Sequence, residues 1–422
     1  MKSPIAALWA TGRGGYSNGT DVFEELMPSP HRTSRRLLRV TAGLMTLALT
    51  VTACSSGEDS PEGGQSAERT ASAEETLAGV CPNPIVIQTD WTPQAEYGAV
   101  YRLLGDDIEV DAERGSVSAT LVDGGVDTGV RLEIRAGGAV NNYQSAASFV
   151  HSDEQVILGT VDIDGAVQLS AEYPMQAVFA PMELSPLVLL WDPETYPQFQ
   201  TIADIGQTDT TVLYFPGSTY IEFLVGAGIL RRSQIDSSYD GSPSRFVAEQ
   251  GRIVQQGYLT NEVYSYPNEL EEWNREVGWA LVSDAGYPNY PAALGINPER
   301  REELAPCLER LVPMLQRAAR DYAADPEPTN ELIVELVDAY NGYPYTPERA
   351  AYAVDAMLEH GILSNGHNDT VGDFDMERVQ QILDIVRPIF IGQRVEIAED
   401  LTAEDLATNE FIDESIGLEP SQ

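Results

Sequence analysis

The 422-residue sequence predicts an α/β protein built as two lobes, and three observations carry that expectation. Between residues 85 and 283, short apolar runs that end in turn residues alternate with segments of helical periodicity. Beyond residue 299 the pattern is helical, with Leu304, Leu308, Leu311, Val312, Leu315 and Ala319 on one face and Cys307 beside it. The strand pattern is interrupted twice, after Leu190-Trp191-Asp192-Pro193 and near Ser283-Asp284, as an inserted lobe requires. Strand–loop–helix units followed by a helical return indicate mostly parallel sheets. Residues 81–192 and 284–422 then form one discontinuous lobe and residues 193–283 the other.

In chain order, Arg35-Arg36-Leu37-Leu38-Arg39 comes first, followed by an apolar run to Val51-Thr52-Ala53 and then Cys54. A basic segment, a short hydrophobic segment and small residues before the cut describe a secretory signal. A cysteine in the cleavage position makes residues 1–53 a bacterial lipoprotein signal region, with Cys54 carrying the lipid as the first mature residue. The run is too short to span a bilayer. Asp21, Glu24 and Glu25 precede the basic cluster and Met27 offers an ordinary start, so residues 1–26 read as an over-long start. Ser34-Arg35-Arg36-Leu37-Leu38 leaves Sec and twin-arginine export both open. Residues 54–80, rich in Ser, Gly, Glu and Ala, have too little apolar surface for a core and read as a flexible tether. The protein is thus expected outside the cell membrane, anchored to its outer face only through that lipid.

The strands expected in the body are Ile85-Val86-Ile87, Val130–Ile134, Ala177–Ala180, Leu187–Leu190, Val212–Phe215 and Trp279–Val282. Helices are expected through Ile221, Leu224 and Val225, after residue 299, and around 329–341, 347–360 and 375–388.

Composition narrows the function. There are 25 basic and 66 acidic residues, a net charge of −41, so nucleic acid and anionic lipid surfaces are poor partners. Lys2 is the only lysine and leaves with the signal, which excludes Schiff-base chemistry in the mature chain. With Cys54 committed to lipid, Cys81 and Cys307 are left as a pair in an oxidising compartment and are expected to form a disulfide; two buried free thiols are the alternative. No nucleophile elbow, phosphate-cradling glycine loop or metal-ligand spacing occurs, and His151, His360 and His367 lie far apart. No cofactor, metal or catalytic residue is therefore expected.

In open α/β sheets, ligands bind beyond the carboxyl ends of strands. Four such segments stand out. Asp90-Trp91-Thr92-Pro93-Gln94-Ala95-Glu96-Tyr97-Gly98 combines an indole, a phenol and carboxylates, or is a surface turn around a core Trp. Gly137-Gly138 allows close backbone approach, or is a simple turn. In Pro216-Gly217-Ser218-Thr219, Ser218 or Thr219 caps a helix and leaves N–H groups for an anion or carbonyl, with plain capping as the alternative. Tyr258, Tyr264, Tyr266, Trp273, Tyr287 and Tyr290, with Asn261-Glu262 among them, suit a flat, partly apolar ligand that donates hydrogen bonds, although some of these rings must serve packing.

These residues resemble the solute-binding proteins of ABC importers. The resemblance rests on the lipobox and tether, Ile87–Gly98 with its Asp-Trp-Thr-Pro, Ile134–Gly138, Trp191–Gly206, Gln256-Gly257-Tyr258 with Asn261-Glu262, and the tail Thr408–Asp413. It covers residues 81–415, and the branch most like it is the nitrate/sulfonate/taurine and thiamine-pyrimidine-precursor group. It implies the two-lobed periplasmic-binding-protein-like fold (type II), lobes joined by crossing strands, in a monomer that closes on a small solute and docks onto a permease with its ATPase. Asp90, Trp91, Gln94, Glu96 and Tyr97, with Gly137 and Gly138, would serve from one lobe. Tyr214, Gly217, Ser218, Thr219, Tyr258 and Glu262 would serve from the other, with Tyr290 in the aromatic cluster. Asp-Trp-x-Pro resembles the pyrimidine-precursor binders, whose ring would stack on Trp91 while its N–H groups reach Asp90 or Glu262. Those relatives carry His and Asn after the proline where Gln94-Ala95-Glu96-Tyr97 stands here. Riboflavin, sulfonate, taurine and nitrate are the alternative ligands, and a sensor that kept the fold is the alternative role. The fungal enzyme of this fold needs a lysine and a cysteine-rich loop, neither of which the mature chain has.

Overall fold

The computed structural model describes residues 69–72 and 75–419; the signal region and Cys54 lie outside the described residues. The described chain forms two β-sheets with helices packed around them. Strands β1 (Arg69–Thr70), β2 (Ile85–Gln88), β3 (Glu109–Asp111), β4 (Ser116–Asp123), β5 (Val126–Arg135), β6 (Val156–Val161) and β7 (Gln176–Phe179) belong to a large sheet. The chain then passes to a small sheet of β8 (Leu187–Trp191), β9 (Val212–Leu213), β10 (Ile235–Asp236), β11 (Val254–Tyr258) and β12 (Gly278–Leu281). It returns as β13 (Ala293–Ile296) to complete the large sheet. The large sheet runs β3-β4-β5-β2-β6-β13-β7 with β1 on β5, and the small one β10-β9-β11-β8-β12.

Central strands are apolar because both faces are covered. In β2, Ile85 and Ile87 enter one hydrophobic cluster and Val86 the other; in β8, Val188 and Leu190 face one side and Leu189 and Trp191 the other. β5 alternates instead, with Val130, Leu132 and Ile134 buried and Arg131 and Glu133 only partly so. The helix Arg301–Ala324 buries Leu304, Leu308, Leu311, Val312, Leu315 and Ala319, the face its periodicity predicts. Each fully buried leucine there contributes about 1.5–3 kcal/mol. Gly98 admits this helix closely, since a Cβ at that position would stand 2.1 Å from the Tyr322 ring. The Cys81–Cys307 disulfide forms and ties the segment before β2 to the same helix.

Two expectations are corrected. The sheets are mixed rather than mostly parallel: β2 is parallel to β5 and β6, and β9 to β10 and β11, but β4–β5, β6–β13, β7–β13, β8–β11 and β8–β12 are antiparallel. β4 and β5 are a hairpin turned at Gly124-Gly125, and the β13 pairings follow from the double passage, because a strand returning from the other sheet need not keep the direction a right-handed crossover helix imposes. The change of sheet also comes earlier than Asp192, since Leu187–Trp191 pairs with β11 and β12. The two passages are therefore residues 180–186 and 282–292.

The C-terminal helices brace the passages. Met376–Gln393 packs on both Ile163–Leu169 and Thr219–Gly226, and Pro347–Glu359 packs on Glu262–Asn268. Arg378 donates to the Glu183 carboxylate (2.6 Å) and carbonyl (2.5 Å) in the first passage, and to the carbonyls of Pro288 (2.9 Å) and Asn289 (3.2 Å) in the second. No helix among the described residues is long and apolar enough to cross a membrane.

Candidate functional site

Three strand-end loops meet between the sheets. β2 runs into Thr89-Asp90-Trp91, β6 into Asp162-Ile163-Asp164, and β9 of the small sheet leads on to Gly217-Ser218-Thr219. They enclose a cleft of about 270 Å³ whose polar lining includes Asp90, Ser145, Thr160, Asp162, Asp164 and Ser218. Among the described residues neither arginine nor lysine lines it.

Each carboxylate is oriented by named donors. Asp90 Oδ1 accepts the Thr160 hydroxyl at 2.5 Å and the Tyr97 hydroxyl at 2.9 Å, while the Asp90 N–H donates to Thr160 Oγ1 at 2.8 Å. Asp162 Oδ1 accepts the Ala292 N–H at 2.7 Å. Asp164 is satisfied at both oxygens, by the Tyr287 hydroxyl (2.6 Å), Asn289 Nδ2 (2.9 Å) and the Gly165 N–H (2.8 Å). Among the described residues no hydrogen bond reaches Oδ2 of Asp90 or of Asp162. Asp162 is exposed to the cleft, yet the protein crowded around it, then the charges of Asp164 and Asp90, raise it to about 8. Asp164 is also raised by loss of water, against the lowering effect of its hydrogen bonds from Tyr287 and Asn289.

A second acidic pair lies where the loop after β2 meets the loop after β11. Thr260 Oγ1 donates to Glu96 Oε1 at 2.5 Å. Glu262 accepts the Tyr258 N–H at 2.7 Å and the Tyr239 hydroxyl at 3.2 Å. Burial raises both glutamates above the ordinary range, and the Glu262 charge adds to the effect on Glu96. Arg349 sits behind this pair, donating to Asn261 at 2.9 Å and to Glu269.

The expected residues separate by position. Asp90, Gly217, Ser218 and Thr219 line the cleft. Trp91 is 37% exposed, with its ring centroid 5.8 Å from that of Tyr143, which is itself 62% exposed. Tyr97 is buried and orients Asp90. Gln94 is half-buried, and its carbonyl accepts the Tyr97 N–H. The amides of Gly137 and Gly138 donate to the carbonyls of Trp91 (2.9 Å) and Asp90 (3.0 Å). A Cβ at Gly137 would stand 2.3 Å from the Asp90 carbonyl carbon, so this glycine closes the β5 loop onto the Asp90–Trp91 loop. Ser218 caps its helix by position but makes no side-chain cap bond. Tyr214 is half-buried just after β9.

The aromatic cluster is not brought together. Tyr258 is 41% exposed, but Tyr266 and Trp273 pack edge-on against buried Phe246, and Tyr264 meets Tyr352. Tyr290 is fully buried: its ring lies under Arg378, its hydroxyl accepts the Asp375 N–H, and it has no place on the cleft wall. Sequence reading missed Thr160, Asp162, Asp164, Ser145 and Tyr143. The available signal was the apolar run Val156-Ile157-Leu158, a strand ending in Asp162-Ile163-Asp164.

No protein-family model and no curated protein matches the sequence. Among solved structures the chain is similar to a putative sulfonate ABC transporter periplasmic sulfonate-binding protein from Methylobacillus flagellatus KT, at 10% identity and TM-score 0.49, covering 78% of this chain and 93% of that one. It is similar to the periplasmic aliphatic sulphonate binding protein from Escherichia coli at 12% identity and TM-score 0.47, covering 81% and 96%. It is also similar to the ligand binding component of an ABC-type import system from Staphylococcus aureus with zinc bound, at 11% identity and TM-score 0.47, covering 78% and 98%.

Proposed function

We propose that this chain is the extracytoplasmic, lipid-anchored solute-binding component of an ABC importer, which captures a small heteroaromatic solute and delivers it to a permease and its ATPase. The observation that carries the reading is the cleft itself, where strand-end loops of both sheets converge between two bodies joined by a double passage. A solute touching both bodies favours the closed arrangement by those contacts alone, so occupancy and closure are one event. The free oxygen of Asp90 and the exposed indole of Trp91 suit a ring that stacks and donates an N–H, while Asp162, which holds its proton up to about 8, suits a ring nitrogen that accepts, as an aminopyrimidine of the thiamine-precursor kind offers. A sulfonate reading is favoured by one feature, the Gly217-Ser218-Thr219 turn at a helix N-terminus, but the carboxylates opposite repel an anion.

A thermal-shift series on the full chain, refolded to strip carried-over ligand, tests the reading. The panel holds aminopyrimidine precursors, riboflavin, taurine and other sulfonates, and nitrate. A rise in melting temperature confined to the aminopyrimidines supports the proposal. A rise confined to sulfonates keeps the solute-binding role and rejects the ligand, and no rise from any member rejects both.

A further inference from the structure

The two bodies also touch beside the cleft, and the group at that contact is a carboxylic acid. Glu96, in the loop after β2 of the large sheet, is 7% exposed, with buried Ala95 and Tyr97 on either side. Across the boundary stands Thr260, in the loop after β11 of the small sheet and itself buried, which donates its hydroxyl to Glu96 Oε1 at 2.5 Å. The bond is a latch that parting of the bodies would break. A buried acid held this way loses its partner and regains water at the same moment.

The groups that face Glu96 are acids and phenols. Glu262, two residues beyond Thr260, presents a like charge to it. The phenols of Tyr97 beside it, Tyr322 on Arg301–Ala324, Tyr345 before Pro347–Glu359 and Tyr258 at the end of β11 all lie in its field. Each phenol is raised above its ordinary value, so none of them ionises near neutral pH. Asp90 lies beyond Tyr97, whose hydroxyl it accepts. Arg349, the cation behind the acidic pair, is bonded to Asn261 and Glu269, and among the described residues no arginine forms an ion pair with Glu96 or Glu262. The two glutamates differ in one respect. Glu262 takes its bonds from Tyr258 and Tyr239 of its own body, whereas the side-chain bond of Glu96 crosses to the other.

Resting on the solute-binding reading above, in which the bodies part and close, we propose that closure takes up one proton from solvent onto Glu96 and that opening releases it. Burial has the largest effect on Glu96 and raises it from 4.5; the Thr260 bond and its own N–H lower it, and the Glu262 charge raises it further. Parting the bodies restores water and removes these influences. An acid raised in the closed arrangement favours that arrangement fully below 4.5, and the favour is lost as pH climbs through the raised value. A solute that selects the closed arrangement therefore binds more tightly in acid and leaves more readily at higher pH.

Small-angle scattering of the full chain without solute, at several concentrations from about pH 5 to about pH 9, reads the arrangement directly. The radius of gyration is expected to rise with pH in the wild type. Glu96→Gln, which keeps an acceptor for Thr260 and has no proton to release, should hold the low-pH radius throughout. Glu262→Gln removes the like charge and should move the rise to lower pH. A wild-type radius that does not change with pH overturns the proposal, and so does a Glu96→Gln protein that opens as the wild type does. Should Glu96→Gln fail to fold, Glu262→Gln decides, and an unmoved rise overturns the proposal. None of these readings needs a solute, so the solute panel above tests the binding role separately.

Discussion

Glu96 accepts the Thr260 hydroxyl at 2.5 Å across 164 residues of sequence. This bond joins the loop after β2 in the large sheet to the loop after β11 in the small one, beside the cleft that both sheets enclose. It bridges the two bodies, and an opening of the cleft about the passages would break it.

Thr260→Val keeps the shape of the side chain and removes the donor, leaving Glu96 buried without its hydroxyl partner. Stability should fall by about 1–3 kcal/mol, the cost of an unsatisfied buried acceptor. Calorimetry measures the loss, and small-angle scattering should show the variant more open. A melting temperature and scattering curve identical to those of the wild type would remove the latch.

Arg378 holds both passages at once through Glu183, Pro288 and Asn289. Its side chain and that of Glu183 are 11% and 14% exposed. Arg378→Met should therefore cost about 3–5 kcal/mol, because it leaves a buried carboxylate without its partner. Denaturant unfolding gives the number. Adding Glu183→Gln should recover part of the loss, whereas an additive double variant would mean the two groups act separately.

The Cys81–Cys307 disulfide spans 226 positions. In the chain-entropy account, closing a loop of that length contributes roughly 4–5 kcal/mol. Reduction is expected to lower the melting temperature by many degrees. Thiol counting that finds two free cysteines in the native protein would contradict the pairing.

Asp162 is raised to about 8 by the protein crowded around it and by the charges of Asp164 and Asp90. An acid raised on folding binds its proton more tightly in the folded state, so its favourable contribution is complete below the ordinary value of 3.8 and lost as pH climbs to about 8. Melting temperature should fall across that window in the wild type, and Asp162→Asn should flatten the fall. An unchanged slope in the variant would assign the effect to other carboxylates.

Trp91 follows the cleft residue Asp90 and has 37% of its surface exposed, so its removal should cost little stability. Trp91→Ala is expected to keep the melting temperature within a few degrees and to weaken solute binding at least about tenfold, as loss of a stacking ring implies. Titration of whichever solute the panel identifies measures this. Unchanged affinity would exclude the loop from the site.

Much of the fold was legible because it rests on local periodicity. The apolar face of Arg301–Ala324, the buried runs at β2 and β8, and the alternation in β5 each obey a spacing that burial imposes on nearby residues. The cysteine pair was legible by counting. Asp90 and the Gly217–Thr219 turn could be read as strand-end loops, and both line the cleft.

What local pattern does not encode is which strand end meets which. Asp162 and Asp164 gain their place in the cleft only because β6 lies beside β2, where Thr160 orients Asp90. The aromatic cluster from Tyr258 to Tyr290 looked continuous in sequence, yet folding sends Tyr258 to solvent and Tyr290 into the core, because the chain leaves the small sheet between them. The sequence by itself determined the α/β class, the longer helices from Arg301 onward and the candidate cysteine pair, since each follows from spacing or residue type. Tertiary structure alone decided the mixed strand directions, the Glu96–Thr260 latch and the carboxylates of the cleft, because those depend on contacts between residues that only the double passage between sheets brings within reach.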